Sequence, residues 1–373
     1  MQIIILMRNK LKQIFFIIIF SMLNASISLV MDLNSDEILV DKNSNDEILV
    51  PNFSKLMTIY ITLEHLKRGE ITLSDEITLN DSEDFSKDYK LKDLIPILMI
   101  ANKEEVCSAI AKHISGSIPA FVKLMNQQSK LLLMNATFED PLGSYDNECI
   151  TSAKDIAILI KALMLKHQNY FKIFKNKYHE FYNTDIINDN DIIHRTNFPI
   201  YALASGMNQG NYNSAVFIKN KNMFLVSISL EDSTLENNNK NIIKGINYAL
   251  ENFETFKLYD KGQEVSEHRV WYGNKHSIKT GFTDNIYITI PKYTYHTLKA
   301  VIKYNPKSFA PINIGDVVGV FEILNKDSKI IKTSPVISLE NVVPTNIYFQ
   351  GLDFIIYNLF QRRNFIEQNG FTS

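Results

Sequence analysis

Lys55 is the side chain with the clearest chemical potential in this sequence. It lies in Pro51-Asn52-Phe53-Ser54-Lys55-Leu56-Met57-Thr58, where Leu56, Ile59 or Tyr60, Leu63 and Leu66 follow helical spacing. An amine over the first turn of a buried helix can take the proton of a nearby hydroxyl and make it a nucleophile. Asn52, three residues earlier, shares the helix face of Lys55, but a carboxamide is a poor nucleophile. Ser54 carries a hydroxyl, yet neighbours at i and i+1 point roughly 100° apart on a helix. Asn52 suits the N-cap position, which would leave Lys55 to pair with a carboxylate or with the Asn52 side chain. The helix is predicted to end near Arg68, with Lys67 and Arg68 at its negative end and Gly69 stopping it.

The surrounding elements follow from periodicity. The alternating run 27–32, a turn at Asn34-Ser35-Asp36 and the return 37–40 predict a hairpin before the helix. Two short strand-like pieces flank Ser74-Asp75. Helical patterns cover 91–100, 105–113, 118–132 and 151–165, with a polar break at Asn102-Lys103-Glu104. After an Asn- and Asp-rich stretch, residues 201–206 precede two alternating runs, 214–218 and 223–230, which read as an antiparallel hairpin. A helix over 241–253 closes an α+β domain. Beyond it the chain becomes short strands at 269–272, 286–290, 298–304, 317–324 and 329–336, a small all-β domain. In the tail, Leu352, Ile355, Ile356, Leu359 and Phe360 line one helical face, followed by Arg362 and Arg363. That pattern predicts an amphipathic helix in a membrane interface, packing on its own β domain being the alternative.

Composition narrows the function. A length of 373 residues suits two domains, and a net charge of −2 gives no case for a nucleic-acid partner. There is no CxxC or HExxH, and eight scattered histidines, His65 and His113 among them, suggest no metal site; no cofactor is expected. Residues 1–28 read as a signal peptide: Arg8, Lys10 and Lys12, an apolar run over 14–23, then small residues Ala25, Ser26 and Ser28. Export permits disulfides, but Cys107 and Cys149 are expected to be two buried free thiols.

Several ordered segments carry a resemblance. Leu29-Val30-Met31-Asp32 with Glu37-Ile38-Leu39-Val40, then Lys55-Leu56-Met57-Thr58, resemble the opening hairpin and first helix of the low-molecular-mass penicillin-binding proteins, the serine-type D-alanyl-D-alanine carboxypeptidases. Ala120-Phe121-Val122-Lys123-Leu124-Met125-Asn126, Met134-Asn135-Ala136-Thr137-Phe138 and Pro141-Leu142-Gly143 are similar to that family's middle segment. Gly262-Gln263-Glu264-Val265 and Val270-Trp271-Tyr272-Gly273 resemble the entry to its β domain. The resemblance implies an α+β, β-lactamase/transpeptidase-like domain (29–257), an antiparallel sheet flanked by helices. A β-rich domain (258–349) and a membrane-associating tail (350–373) follow. It also implies a periplasmic protein on the outer face of the inner membrane. Its ligand would be the D-Ala-D-Ala end of a peptidoglycan stem peptide, or a β-lactam.

The family's chemistry needs three elements, and each is altered here. The first is Ser-x-x-Lys, which sets hydroxyl and amine on one helix face. Read back from Lys55, the serine position is Asn52, and no serine in the chain has lysine three residues later. The second, Ser-x-Asn, reads Ile100-Ala101-Asn102: the relay hydroxyl is gone and Asn102, which would hold the substrate amide, remains. The third, Lys-Thr-Gly on an edge strand, reads Ala204-Ser205-Gly206, so Ser205 and Gly206 keep substrate-binding roles without the charge. Lys279-Thr280-Gly281 matches the third element by letter but lies within the β domain, out of context. The expected protein is therefore a catalytically impaired carboxypeptidase homologue that binds cell-wall peptides. One alternative is an active enzyme using Ser54 and Lys55; another is a non-catalytic periplasmic scaffold.

Overall fold

A computed structural model describes residues 26–82, 85–143 and 149–369, the side chains of 80–86 and 360–369 excepted. The expected signal peptide lies almost wholly outside the described residues; Ile27 and Ser28 already belong to the first strand. The chain divides into two compact units between Asn252 and Phe253.

The first unit is built on a five-stranded antiparallel sheet, β1 (Ile27–Asp32), β2 (Glu37–Lys42), β3 (Ile200–Asn208), β4 (Asn211–Asn220) and β5 (Met223–Asp232), in the order β3-β4-β5-β1-β2. Alternation along the strands supplies two faces. Leu29, Val226, Ile228 and Leu230 face the main core, while Val30 and Ser227 meet Gly245 of a helix on the other side, Leu235–Asn252. β3 is an edge strand, so the outer row of its backbone groups has no strand partner in this sheet.

The central helix, α1 (Ser54–Arg68), ends as expected at Gly69, whose φ of 71° is the left-handed conformation of a helix stop. Its start differs from expectation. Pro51–Phe53 form a 3-10 turn, and neither that turn nor α1 has a side-chain cap, so Asn52 is not an N-cap. Burial differs too: every residue from Ser54 to Leu63 is buried, so α1 begins as an all-round core helix and not as an amphipathic one. Helices α2 (Leu91–Ile100), α3 (Glu104–Ser115), α4 (Ile118–Leu131) and α5 (Ala153–Lys166) supply the rest of that core. The segment around Ser74-Asp75 is a turn. A single hairpin, Glu76–Ser82 with Phe85–Lys90, replaces the two strand-like pieces expected there. Cys107 and Cys149 are buried free thiols.

The second unit is all-β apart from its tail. One sheet pairs β6 (Phe253–Tyr259) with β9 (Ile286–Pro291). The other runs β7-β8-β12-β11-β10, with β7 (Ser266–Arg269), β8 (Ser277–Gly281), β10 (Lys299–Tyr304), β11 (Val317–Leu324) and β12 (Ile330–Ser338). Val270, Ile278, Phe282, Ile288, Phe321 and Val336 are central to its core. The tail is a helix, α6 (Ile347–Asn369). Its Asp353, 4% exposed, accepts the backbone N–H of Tyr272 at 2.7 Å, and Tyr357 meets the rings of Trp271 and Phe309. Leu352, Phe354, Ile355, Ile356 and Leu359 remain exposed. Phe360, Arg362 and Arg363 have side chains outside the described set.

Candidate active site

The start of α1, the loop after α2 and the edge strand β3 converge. The Lys55 ammonium is buried and donates to Asn102 Oδ1 at 2.7 Å and to the Ala101 carbonyl at 3.4 Å. Burial pushes the Lys55 pKa down; Cys107 and then Asp189 pull it the other way. The Cys107 thiol is itself pushed up to about 12 by burial, which leaves it neutral at physiological pH. Lys55 thus keeps the property a general base needs, an amine made easier to deprotonate, while its hydrogen bonds go to an amide and a peptide carbonyl.

Asn52 shares this space. A Cβ built on Gly206 would stand 1.7 Å from Asn52 Nδ2 and 2.8 Å from Asn52 Cβ, so the carboxamide lies directly on the strand at Gly206. The turn Pro141-Leu142-Gly143 closes the other side of Pro51. A Cβ on Gly143 would stand 1.6 Å from the Pro51 carbonyl oxygen, and Thr58 Oγ1 donates to the Pro141 carbonyl at 2.5 Å.

Ser54 is closed off from solvent: it is 1% exposed, and its hydroxyl is buried with no hydrogen-bond partner among the described residues. The buried Cys149 thiol is pushed up to about 12 by burial. Ile100 and Ala204 are buried. Ser205 and Gly206 are half-buried and Asn102 is exposed, the accessibility a ligand-binding edge requires. Lys279 is held in the second unit by Glu264 at 2.7 Å, and Thr280 bonds the Ser266 carbonyl and the Tyr304 hydroxyl. Those contacts account for Lys279 and Thr280 as parts of a sheet.

One residue of the site escaped the sequence reading. Asp189 accepts the Asn102 backbone N–H on Oδ2 at 2.5 Å, donates its own N–H to the Ile100 carbonyl at 3.0 Å, and accepts Ser205 Oγ on its carbonyl at 3.3 Å. Its neighbour Asn190 donates to the Ala204 carbonyl at 3.2 Å. Asp189 therefore ties the Asn102 loop to β3. No spacing rule marks it; the only signal was the Asn188-Asp189-Asn190 run itself.

A family model described as D-alanyl-D-alanine carboxypeptidase matches residues 20–234, more than half of the chain, and the chain belongs to that family. Residues 253–344 match the C-terminal domain of penicillin-binding protein 5. Among relatives, D-alanyl-D-alanine carboxypeptidase DacA of Haemophilus influenzae is 29% identical over 324 residues, 82% of each chain. Among solved structures, penicillin-binding protein 5 of Haemophilus influenzae superposes with a TM-score of 0.78 at 27% identity, over 86% of this chain and 98% of that one. Penicillin-binding protein D2 of Listeria monocytogenes, solved in a cefotaxime-bound form, shares the fold at 19% identity and a TM-score of 0.54, over 60% of this chain and 95% of that one.

Proposed function

We propose that this chain is a cell-envelope homologue of the carboxypeptidases that holds stem peptides of the wall without opening them through an acyl-enzyme. The observation that carries this is Asn52. It stands in the nucleophile's position, three residues before Lys55, with its carboxamide on Gly206. A carboxamide is no nucleophile, and losing an activated hydroxyl typically removes several orders of magnitude of rate, leaving what binding groups alone supply. Asn102, Ser205 and the Gly206 edge are those binding groups. The alternative nucleophile, Ser54, is disfavoured by its burial and by its place next to Lys55, where neighbouring side chains point roughly 100° apart on a helix.

Placement in the periplasm is supported by the expected signal peptide and by relatives named as D-alanyl-D-alanine carboxypeptidases and penicillin-binding proteins. Association with the outer face of the inner membrane is supported by the apolar residues that α6 exposes. No helix among the described residues is long and apolar enough to cross a membrane.

The test is to incubate the purified protein with a fluorescent penicillin, a probe chosen because the Listeria relative was solved with a β-lactam, and to look for a covalent band. None is expected. Labelling of the wild type that disappears in Ser54→Ala would sink the non-acylating reading. Calorimetry with a D-Ala-D-Ala peptide reports whether binding persists.

A further inference from the structure

The charge of the cleft deepens this reading. A peptide closed by a free carboxylate is held where a cation waits for it. The strand position suited to that cation is Ala204, 2% exposed and apolar. The Lys55 ammonium is buried and committed to Asn102 and Ala101. Asp189, by contrast, is exposed. Its Oδ2 meets the Asn102 N–H, its carbonyl meets Ser205 Oγ, and its Oδ1 has no hydrogen-bond partner among the described residues. A carboxylate so placed repels another carboxylate arriving along the Ser205–Gly206 edge and attracts an ammonium.

We propose that this cleft selects a peptide segment presenting an ammonium group beside Asp189 over one ending there in a free carboxylate. The inference rests on the stem-peptide reading above and changes what part of the peptide is recognised. Ser205 and Gly206 supply the strand edge, Asn102 the amide contact, and Asp189 the sign of the charge. Lys103, exposed one residue beyond Asn102, is a cation that would oppose this preference, so its substitution is part of the test.

The experiment measures binding of N-acetyl-D-Ala-D-Ala as the free acid, as the C-terminal amide and as the aminoethyl amide, which ends in an ammonium. It uses the full mature chain, Asp189→Asn and Lys103→Gln. Asparagine keeps an oxygen for the Asn102 N–H, so the loop retains its tie. In the wild type each step from acid to amide to ammonium is expected to tighten binding about two- to fivefold, the scale of a solvent-exposed charge pair. Asp189→Asn should collapse that spread, and Lys103→Gln should widen it or leave it unchanged. Should Asp189→Asn fail to fold, the wild-type spread must still shrink as salt rises to about 0.5 M. Tightest binding of the free acid, or a spread that salt and Asp189→Asn leave intact, overturns the inference while peptide binding stands. Binding of none of the probes by any of the proteins overturns the peptide-binding reading, and this inference with it.

Discussion

The carboxamide of Asn52 and the backbone of Gly206 occupy each other's space: Nδ2 stands 1.7 Å from where a Gly206 Cβ would be. A glycine on the edge strand thus accommodates a side chain of the same protein. Gly206→Ala is expected to destabilise by about 1–3 kcal/mol, the usual cost of overpacking. Asn52→Gly in that background should recover most of it. A double-mutant cycle from denaturant unfolding measures the coupling. Unchanged stability in Gly206→Ala would place the Asn52 side chain elsewhere.

On the proposed reading, acyl-enzyme chemistry is gained only in combination. Asn52→Ser alone supplies a hydroxyl three residues before Lys55 but neither a hydroxyl at Ile100 nor a charge at Ala204. The triple variant Asn52→Ser, Ile100→Ser, Ala204→Lys is expected to gain covalent penicillin labelling that the single variant lacks. Because Ile100 and Ala204 are each 2% exposed, it should also lose about 2–4 kcal/mol of stability. An unlabelled but folded triple variant would show that the scaffold too has drifted from catalytic geometry.

Lys55 offers a stability test. Lys55→Met removes a desolvated cation but leaves Asn102 Oδ1 and the Ala101 carbonyl without their Lys55 hydrogen bonds, so its net effect at pH 7 is expected to stay within about 1–2 kcal/mol. Its folded pKa is lowered by burial below 10.5. The unfolded chain therefore binds the proton more tightly, and wild-type stability rises with pH between the lowered value and 10.5. Relative to Lys55→Met, the wild type should gain stability over that window; a flat difference from pH 7 to pH 10.5 would refute the shift.

Acid should act through His167. Its Nε2 lies 2.8 Å from Glu64 Oε1 at the C-terminal end of α1, and burial lowers its pKa from 6.5 although Glu64 pulls it up. For a histidine depressed in the folded state, stability is complete above 6.5 and falls as pH drops towards the folded value. His65, also lowered chiefly by burial, adds in the same sense. Thermal unfolding between pH 8 and pH 5 should decline less steeply in His167→Gln than in the wild type. Parallel curves would contradict this.

The tail predicts a fractionation result. Deleting residues 351–373 removes Leu352, Phe354, Ile355, Ile356 and Leu359, each about half exposed or more, and should move the protein from the membrane fraction to the soluble one. Equal partitioning of both forms would assign those residues to some other contact.

Much of the frame was legible because it obeys short-range rules. Gly69 stops α1, the 223–230 run pairs back on 214–218, and the out-of-context Lys279 lies in a strand of the second unit. The errors arose where tertiary context overrode a local preference. Asn52 has the chemistry of a cap, but a 3-10 turn begins the helix and its carboxamide is drawn onto β3 instead. Ser54 is a polar residue at a helix start, and only packing reveals that its hydroxyl is buried without a hydrogen-bond partner among the described residues. Asp189 lies 87 residues from the Asn102 whose N–H it accepts, and no periodicity links residues so far apart in sequence.

The ties made by Asp189 and Asn190 have a consequence for the energetics of recognition. They join the Asn102 loop to β3 through four hydrogen bonds, each with at least one backbone atom. For the proposed peptide binding, the two sides of the cleft are thus tied to one another by the protein itself. The entropy lost on association falls mainly on the peptide, so stiffening the peptide should strengthen binding more than stiffening the protein.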